Sequence, residues 1–198
     1  SIAGYKKSGV LNQNASKGTV TGNKFVGGLV GYLDSAKIVD SYSIDHIQGD
    51  RYVGGLVGYS RDSKIGGAFA AGRVDAESDR GGVAGGKSDT LPFGVAYYDS
   101  SLWHLDSTFG DGALSTEELI SYVPWGDPDD LWDIEKDSTY PYLIWIWWER
   151  VTPGVNVGGD TSLLRMDGFG TEDDPFLVKT YADLKSIGKG KYALSAVY

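Results

Sequence analysis

Tryptophan and acidic side chains are concentrated in residues 99–150, a combination that is typical of carbohydrate-binding sites. All six tryptophans of the 198-residue chain lie in this segment, with 12 acidic and 2 basic residues. Tryptophan rings stack on sugar faces, and carboxylates accept hydrogen bonds from hydroxyl groups. We predict a ligand-binding patch formed by Trp145, Trp147 and Trp148. The alternative is core packing, which we expect for Trp125 and Trp132.

A second candidate site is the acidic loop Gly126-Asp-Pro-Asp-Asp130. Asp127, Asp129 and Asp130 offer the hard oxygen ligands that calcium prefers. The loop lacks the EF-hand pattern and the tandem glycine-rich nonapeptide of calcium-binding solenoids. We interpret it as a solvated turn, with calcium as the alternative, and predict no other cofactor. The chain has no cysteine, so thiolate metal sites and disulfides are excluded.

Catalytic chemistry is not predicted. The chain has two histidines, His46 and His104, and no His-Glu-x-x-His motif. We interpret His46 as a plain surface residue. Enzymes that cleave polysaccharides need carboxylates or bases clustered on one face, and the acidic residues of the first half do not form one repeated column. We therefore expect a protein that is not an enzyme, and a polysaccharide-active enzyme is the most distant alternative.

The elements that must position these residues are set by a repeat of 27 residues. Phe25-Val-Gly-Gly-Leu-Val-Gly-Tyr32 returns as Tyr52-Val-Gly-Gly-Leu-Val-Gly-Tyr59, and a degenerate copy begins at Asp79. The register also holds between these blocks, where Leu11, Ile38 and Ile65 keep the same spacing. A fixed period of this length without insertions indicates a solenoid in which each repeat is one turn.

Composition selects the type of solenoid. The repeats are rich in Gly, Val, Ile and Tyr and are punctuated by Ser, Asn and Asp, which favours short strands and turns. We predict an all-β fold, a parallel β-helix, with strands on Val-Gly-Gly-Leu-Val, around Ile38 and around Ile47. Equivalent residues would stack about 4.8 Å apart. The predicted interior ladders are Leu29 over Leu56, Ile38 over Ile65, and Ile47 over Val74.

The repeated block resembles a known motif. Gly-Gly-Leu-Val-Gly-Tyr at 27–32 and 54–59 is similar to the GLUG motif of large bacterial and archaeal surface proteins, with partial copies at 2–5 and 81–86. Val95-Ala-Tyr-Tyr-Asp99 resembles the segment that leaves such repeats. The resemblance implies a secreted, adhesin-like β-helix protein and transfers no catalytic residue.

Four segments follow from these patterns. Residues 1–98 form the repeats, 99–150 an acidic, tryptophan-rich closing module, 151–168 a linker or loop, and 169–198 the entrance or cap of a further or neighbouring β-helix. We expect the closing module to cover the open end of the solenoid, which would otherwise expose unpaired strands.

The closing module is predicted to mix one or two short helices with strands. Ser115 and Glu118 fit a capping box that starts a helix running to about Tyr122. Leu143–Trp147 is predicted as a final strand, with Trp145 on the face opposite Ile144 and Ile146.

Charge narrows the classes of partner. The net charge is −9, and residues 1–98 contain 11 basic and 9 acidic side chains. Without a basic stripe, nucleic-acid binding is disfavoured, and no apolar run approaches the roughly 18 residues of a membrane span.

We expect a structural, adhesive slice of a long extracellular protein, and the carbohydrate-binding module remains the main alternative. Its expected partners are neighbouring domains or other copies of itself, with fibre formation as an extension and surface glycans as a further partner.

Overall fold

The computed structural model describes residues 1–88, 94–102, 112–126 and 131–149, with side chains as far as Ile146. The repeats form three turns of a parallel β-helix and the start of a fourth. The strands of the first two turns are β1 (Ala3–Lys7), β2 (Val10–Asn12), β3 (Ala15–Ser16), β4 (Thr19–Thr21), β5 (Lys24–Gly27), β6 (Val30–Asp34), β7 (Lys37–Ser43) and β8 (His46–Gly54). The later strands are β9 (Val57–Arg61), β10 (Lys64–Ala70), β11 (Val74–Gly81), β12 (Ala84–Lys87) and β13 (Ala96–Asp99).

Three parallel sheets run along the solenoid. The first has the order β1-β6-β9-β12 and the third β4-β8-β11, with β5 also on β8. The second has the order β2-β7-β10-β13 and continues into a strand of the closing module, with β3 also on β7. Leu11 pairs with Ile38 and Ile38 with Ile65, as the 27-residue period predicts. The parallel β-helix is therefore confirmed.

The predicted interior ladders are also confirmed. Leu29, Leu56, Ile38 and Ile65 are at most 1% exposed and share one apolar cluster. Ile47 and Val74 belong to a second cluster, with Val26 and Val53. Removal of these side chains from water supplies the main driving force for stacking the turns.

The strand predicted on Val-Gly-Gly-Leu-Val is wrong, because the chain bends there. β8 ends at Gly54 and β9 begins at Val57, so Gly55 and Leu56 form a corner between two sheets. A side chain at Gly55 would overlap the carbonyl group of Gly82 on the next turn. Glycine is required because successive turns approach each other closely at this corner.

The closing module begins with β14 (Gly112–Leu114), which pairs with β13, and continues with α1 (Thr116–Leu119). The predicted capping box is present: the backbone N–H of Glu118 donates to the Ser115 hydroxyl, and a Glu118 carboxylate oxygen accepts from the Ser115 N–H at 2.8 Å. The helix ends at Leu119, earlier than the predicted Tyr122.

As far as Leu143, the described remainder of the module lies on the side of the solenoid, although we predicted that it closes the end. Phe69 points outward from the second sheet, and the Trp125 ring stacks on it with centroids 5.6 Å apart. The ring centroid of Trp132 lies 5.9 Å from that of Tyr42, and the ring centroid of Tyr140 lies 6.0 Å from that of Phe69. Trp132 is buried and Trp125 half-buried, which agrees with their predicted place in the core.

The predicted final strand at 143–147 is also wrong. β15 (Trp132–Asp133) pairs with β16 (Tyr142–Leu143), and Ile144–Glu149 then forms a 3-10 helix. The hydrogen bond from the Ile144 N–H to the Leu131 carbonyl group is at the end of this short ladder, and beyond it the chain leaves β15.

The chain divides into two compact units at Ile144, and the described part of the second unit is this helix from Trp145 onward. None of the helices in the described ranges is long and apolar enough to cross a membrane.

Candidate functional site

The structure places the predicted ligand and calcium residues only in part. Trp145 is 47% exposed and Ile146 is buried, while the side chains of Trp147 and Trp148 lie outside the described residues. Asp127, Asp129 and Asp130 also lie outside them, so the calcium site stays a prediction. Across the described ranges, no group of three or more His, Asp or Glu side chains is arranged to hold a metal ion.

The first coil, residues 1–27, carries the outermost strand of each of the three sheets. β1, β2 and β4 each pair with a second-turn strand on one side. On the other side, their N–H and C=O groups have no strand partner within the residues that the structure describes. Such a row of backbone groups is a template for a further strand. Within the described residues, the first coil therefore presents strand edges to which a further strand can pair.

The apolar interior emerges at the same end. The Ile2 N–H donates to the Leu29 carbonyl group, so Ile2 continues the column of Leu29 and Leu56. Leu29 is fully buried, whereas Ile2 at the end of its column is 44% exposed. Val10 on β2, in register with the exposed Lys37 on the outer face, is 53% exposed. Exposed apolar groups beside open strand edges favour contact with another apolar surface.

Two aromatic columns run along the outside of the coil and also reach this end. Tyr5, Tyr32 and Tyr59 follow each other at centroid distances of 5.5 and 5.3 Å, beside Phe25 and Tyr52 at 5.3 Å. Because the inner rings cover one another, they stabilise the stack and present little ring face to a ligand. Tyr5, at the open end, is 56% exposed.

A buried carboxylate fixes β1 to the turns behind it. Asp34 is 1% exposed and accepts hydrogen bonds from Arg61, at 2.5 and 3.0 Å, and from the Tyr5 hydroxyl at 2.8 Å. The Arg61 guanidinium, followed by Tyr5, holds the pKa of Asp34 well below its usual range. The same contact with Asp34 raises the pKa of Tyr5. The first coil is thus held by the hydrogen bond from Tyr5 to Asp34 as well as by the sheet, and the ion pair with Arg61 fixes Asp34 to the following turn.

An open groove of about 370 Å³ lies on the outer face of the third sheet. Its polar lining includes Gln48, Asp50, Asp75 and Glu77. Gly49 also lines the groove, and a Cβ atom added there would lie 2.9 Å from side-chain atoms of Val26 and Val53.

A contact between His46 and Asp75 beside the groove was not predicted from the sequence. His46 Nε2 lies 2.8 Å from Asp75 Oδ2, and Arg73 Nε donates to Asp75 Oδ1 at 2.9 Å. Burial would raise the pKa of Asp75, but the hydrogen bonds from His46 and Arg73 lower it overall. Asp75 is therefore an anchor between turns. The sequence contained a signal for this contact. Arg73 lies 27 residues after His46, at the equivalent position of the next turn, and Asp75 lies two residues beyond Arg73, on the same face of the strand.

The closing module is anchored by a second buried carboxylate. Asp99, at the end of β13, is fully buried and accepts from the hydroxyl groups of Tyr140 at 2.5 Å and Thr116 at 2.6 Å. It also accepts from the Ser101 N–H at 2.8 Å. Burial and the bond to Asp99 raise the pKa of Tyr140. These bonds hold α1 and the Tyr140 segment against the last coil.

The first coil combines strand edges, apolar ladder ends and an exposed aromatic ring, so among the described features it is the strongest candidate for a functional surface. Comparison with known protein families, curated proteins and solved structures gives no match. The resemblance to the GLUG repeats stays a prediction, and the functional argument depends on the geometry of this chain.

Proposed function

We propose that this chain is a structural and adhesive segment of an extracellular surface protein. The observation that carries the proposal is the continuous stacking of equivalent residues in three sheets around one apolar core. Bending such a stack would lengthen backbone hydrogen bonds on one side and compress side-chain ladders on the other, so the coil is suited to act as a stiff spacer.

The first coil supplies the adhesive part of the proposal. Its open edges can add strands, and its exposed Ile2, Tyr5 and Val10 can contribute apolar contact to the same interaction. Support for an extracellular location comes from the resemblance of residues 27–32 and 54–59 to the repeats of surface proteins.

The test is display of the chain on the surface of non-adhesive bacterial cells. We expect displaying cells to clump or to attach to bare and glycan-coated surfaces. Cells that display Leu56→Asp at equal density should do neither, because a buried unpaired carboxylate unfolds the coil. Folded chain at high surface density with no attachment in any of these settings would refute an adhesive role.

Carbohydrate binding is a second candidate, favoured by the exposure of Trp145. The experiment is a glycan array probed with the purified chain, with Trp145→Ala as the test variant. Tyr122→Ala is the matched control, because Tyr122 is an aromatic residue of the same acidic segment and is 50% exposed. Binding that is lost in the first variant and kept in the second supports this candidate, whereas an array without signal contradicts it.

A further inference from the structure

We infer that the groove on the outer face of the third sheet binds an extended polysaccharide chain that carries no charge. This groove is a different surface from the first coil and from Trp145, so the inference goes beyond the proposed function. Three properties of the groove support it: its shape, the hydrogen-bonding groups on its two sides, and its charge.

The shape of the groove comes from a column of small residues that crosses the third sheet. Gly49 pairs with Ala76, and Gly22 is the equivalent residue one turn earlier. The floor therefore has no side chain larger than a methyl group. From Thr21 to Asp75 the groove crosses two steps between neighbouring strands, or about 10 Å along the solenoid axis. Its volume of about 370 Å³ is within the range of small-molecule sites.

Hydrogen-bonding side chains line both sides of this floor. Thr21 pairs with Gln48, and Gln48 with Asp75, so one side presents a hydroxyl, a carboxamide and a carboxylate. Asp50 and Glu77 line the other side, each two residues further along its strand and therefore on the same face of the sheet. Hydroxyl and carboxamide groups both donate and accept, whereas carboxylates accept. Sugar hydroxyl groups both donate and accept, so a sugar chain matches this combination.

Two of the carboxylates are held in place before any ligand binds. His46 Nε2 lies 2.8 Å from one oxygen of Asp75, and Arg73 donates to the other at 2.9 Å. The Asn23 carboxamide donates to Asp50 at 3.0 Å. Side chains that are already fixed lose less conformational freedom on binding, which favours association.

The charge and the direction of the groove select the type of chain. Arg73 offsets the charge of Asp75, but Asp50 and Glu77 are exposed carboxylates and repel an anionic polysaccharide. The column of small residues follows the stacking direction of the turns, which suits an extended β-1,4-linked chain better than a coiled α-1,4-linked one. The uncharged groups of Thr21 and Gln48 favour a sugar over a basic peptide, which would need carboxylates alone.

The measurement is titration calorimetry of the purified chain with four hexasaccharides. Two are neutral and β-1,4-linked, of glucose and of N-acetylglucosamine; the others are α-1,4-linked glucose and β-1,4-linked mannuronic acid. No aromatic ring is part of the described lining, so we expect a dissociation constant on the order of 1 mM for the neutral β-1,4-linked chains. The other two should bind at least fivefold more weakly.

Substitutions place the binding in the groove. Gln48→Ala and Thr21→Ala should each raise the dissociation constant about fivefold, the factor expected for one hydrogen bond. Thr19→Ala is the matched control and should leave it unchanged, because Thr19 is an exposed threonine of the same strand, β4, outside the lining. Circular dichroism confirms that each variant is folded.

Four results would overturn the inference: no binding of either neutral β-1,4-linked chain, equal binding of all four chains, equal losses in Thr21→Ala and Thr19→Ala, or binding that Trp145→Ala removes and Gln48→Ala does not. Pentalysine is the probe for a basic peptide, and binding of pentalysine without binding of any sugar would reassign the groove.

The cell-display assay separates failure of this inference from failure of the proposed function. Attachment of displaying cells without sugar binding in the groove would keep the adhesive role and reject only the groove. Sugar binding by the purified chain without attachment of cells would keep the groove and reject the adhesive role.

Discussion

Replacing Leu56 with alanine tests the solenoid core most directly. Leu56 is fully buried, and it stacks between Leu29 and Val83 in the apolar cluster that Ile38 and Ile65 share. The substitution removes three carbon atoms, worth about 0.8 kcal/mol each in transfer free energy, or about 2.4 kcal/mol. A cavity term adds to this, because backbone hydrogen bonds on both sides keep the neighbouring turns from collapsing. We expect the free energy of unfolding to fall by about 3 to 4 kcal/mol.

The control is Ile2→Ala in the same column. Ile2 is 44% exposed and has a neighbouring turn on one side only within the described chain, so its truncation should cost about 1 kcal/mol or less. Urea titration followed by circular dichroism measures both variants, and an unchanged slope confirms that the unfolding reaction is the same. Equal losses in the two variants, or a loss below about 1 kcal/mol for Leu56→Ala, would refute the interior ladder as the main source of stability.

Three further predictions concern buried polar groups. Ser60 is fully buried and its hydroxyl has no hydrogen-bond partner among the described residues, so Ser60→Ala should raise the free energy of unfolding by about 1 kcal/mol in a urea titration, and a loss would contradict this. Tyr140→Phe removes a donor to the buried Asp99 and should cost about 1.5 to 3 kcal/mol by the same assay, while an unchanged midpoint would show that the bond is not stabilising. The pKa of Asp34 is lower in the folded chain, so its stabilising effect is complete above the ordinary pKa of about 4 and is lost as the pH falls below it. Arg61→Gln should therefore shift acid unfolding to higher pH in a circular-dichroism titration, and an unchanged acid midpoint would contradict the role of this pair.

The register of the repeats was predictable because equivalent residues recur at a constant spacing of 27 positions. Leu29, Ile38 and Ile47 recur as apolar residues one period later, and a fixed period without insertions allows only stacking of equivalent positions. The corner at Gly55 was not predictable from that pattern. Its apolar neighbours resemble a strand, and the requirement for glycine arises from Gly82 on the adjacent turn.

Side-chain pairs between turns were harder to predict than ladders. Asp34 and Arg61 are one period apart, so the pair was visible in principle as opposite charges at equivalent positions. His46 and Asp75 are 29 residues apart, and their contact depends on a diagonal approach across neighbouring strands. The short 3-10 helix at 144–149 was missed because β15, the partner strand, is only two residues long.

The position of the closing module follows from which side chains of β10, in the second sheet, point toward the core and which point outward. Ala68 and Ala70 point into the apolar core, so Phe69 between them must point outward. An exposed Phe69 would leave a large apolar ring in water, yet it is fully buried because Trp125 and Tyr140 cover it. An aromatic residue between two inward alanines is therefore a signal in the sequence for an element that packs on the side of the coil. The solenoid thus receives its side cover from aromatic residues of its own chain.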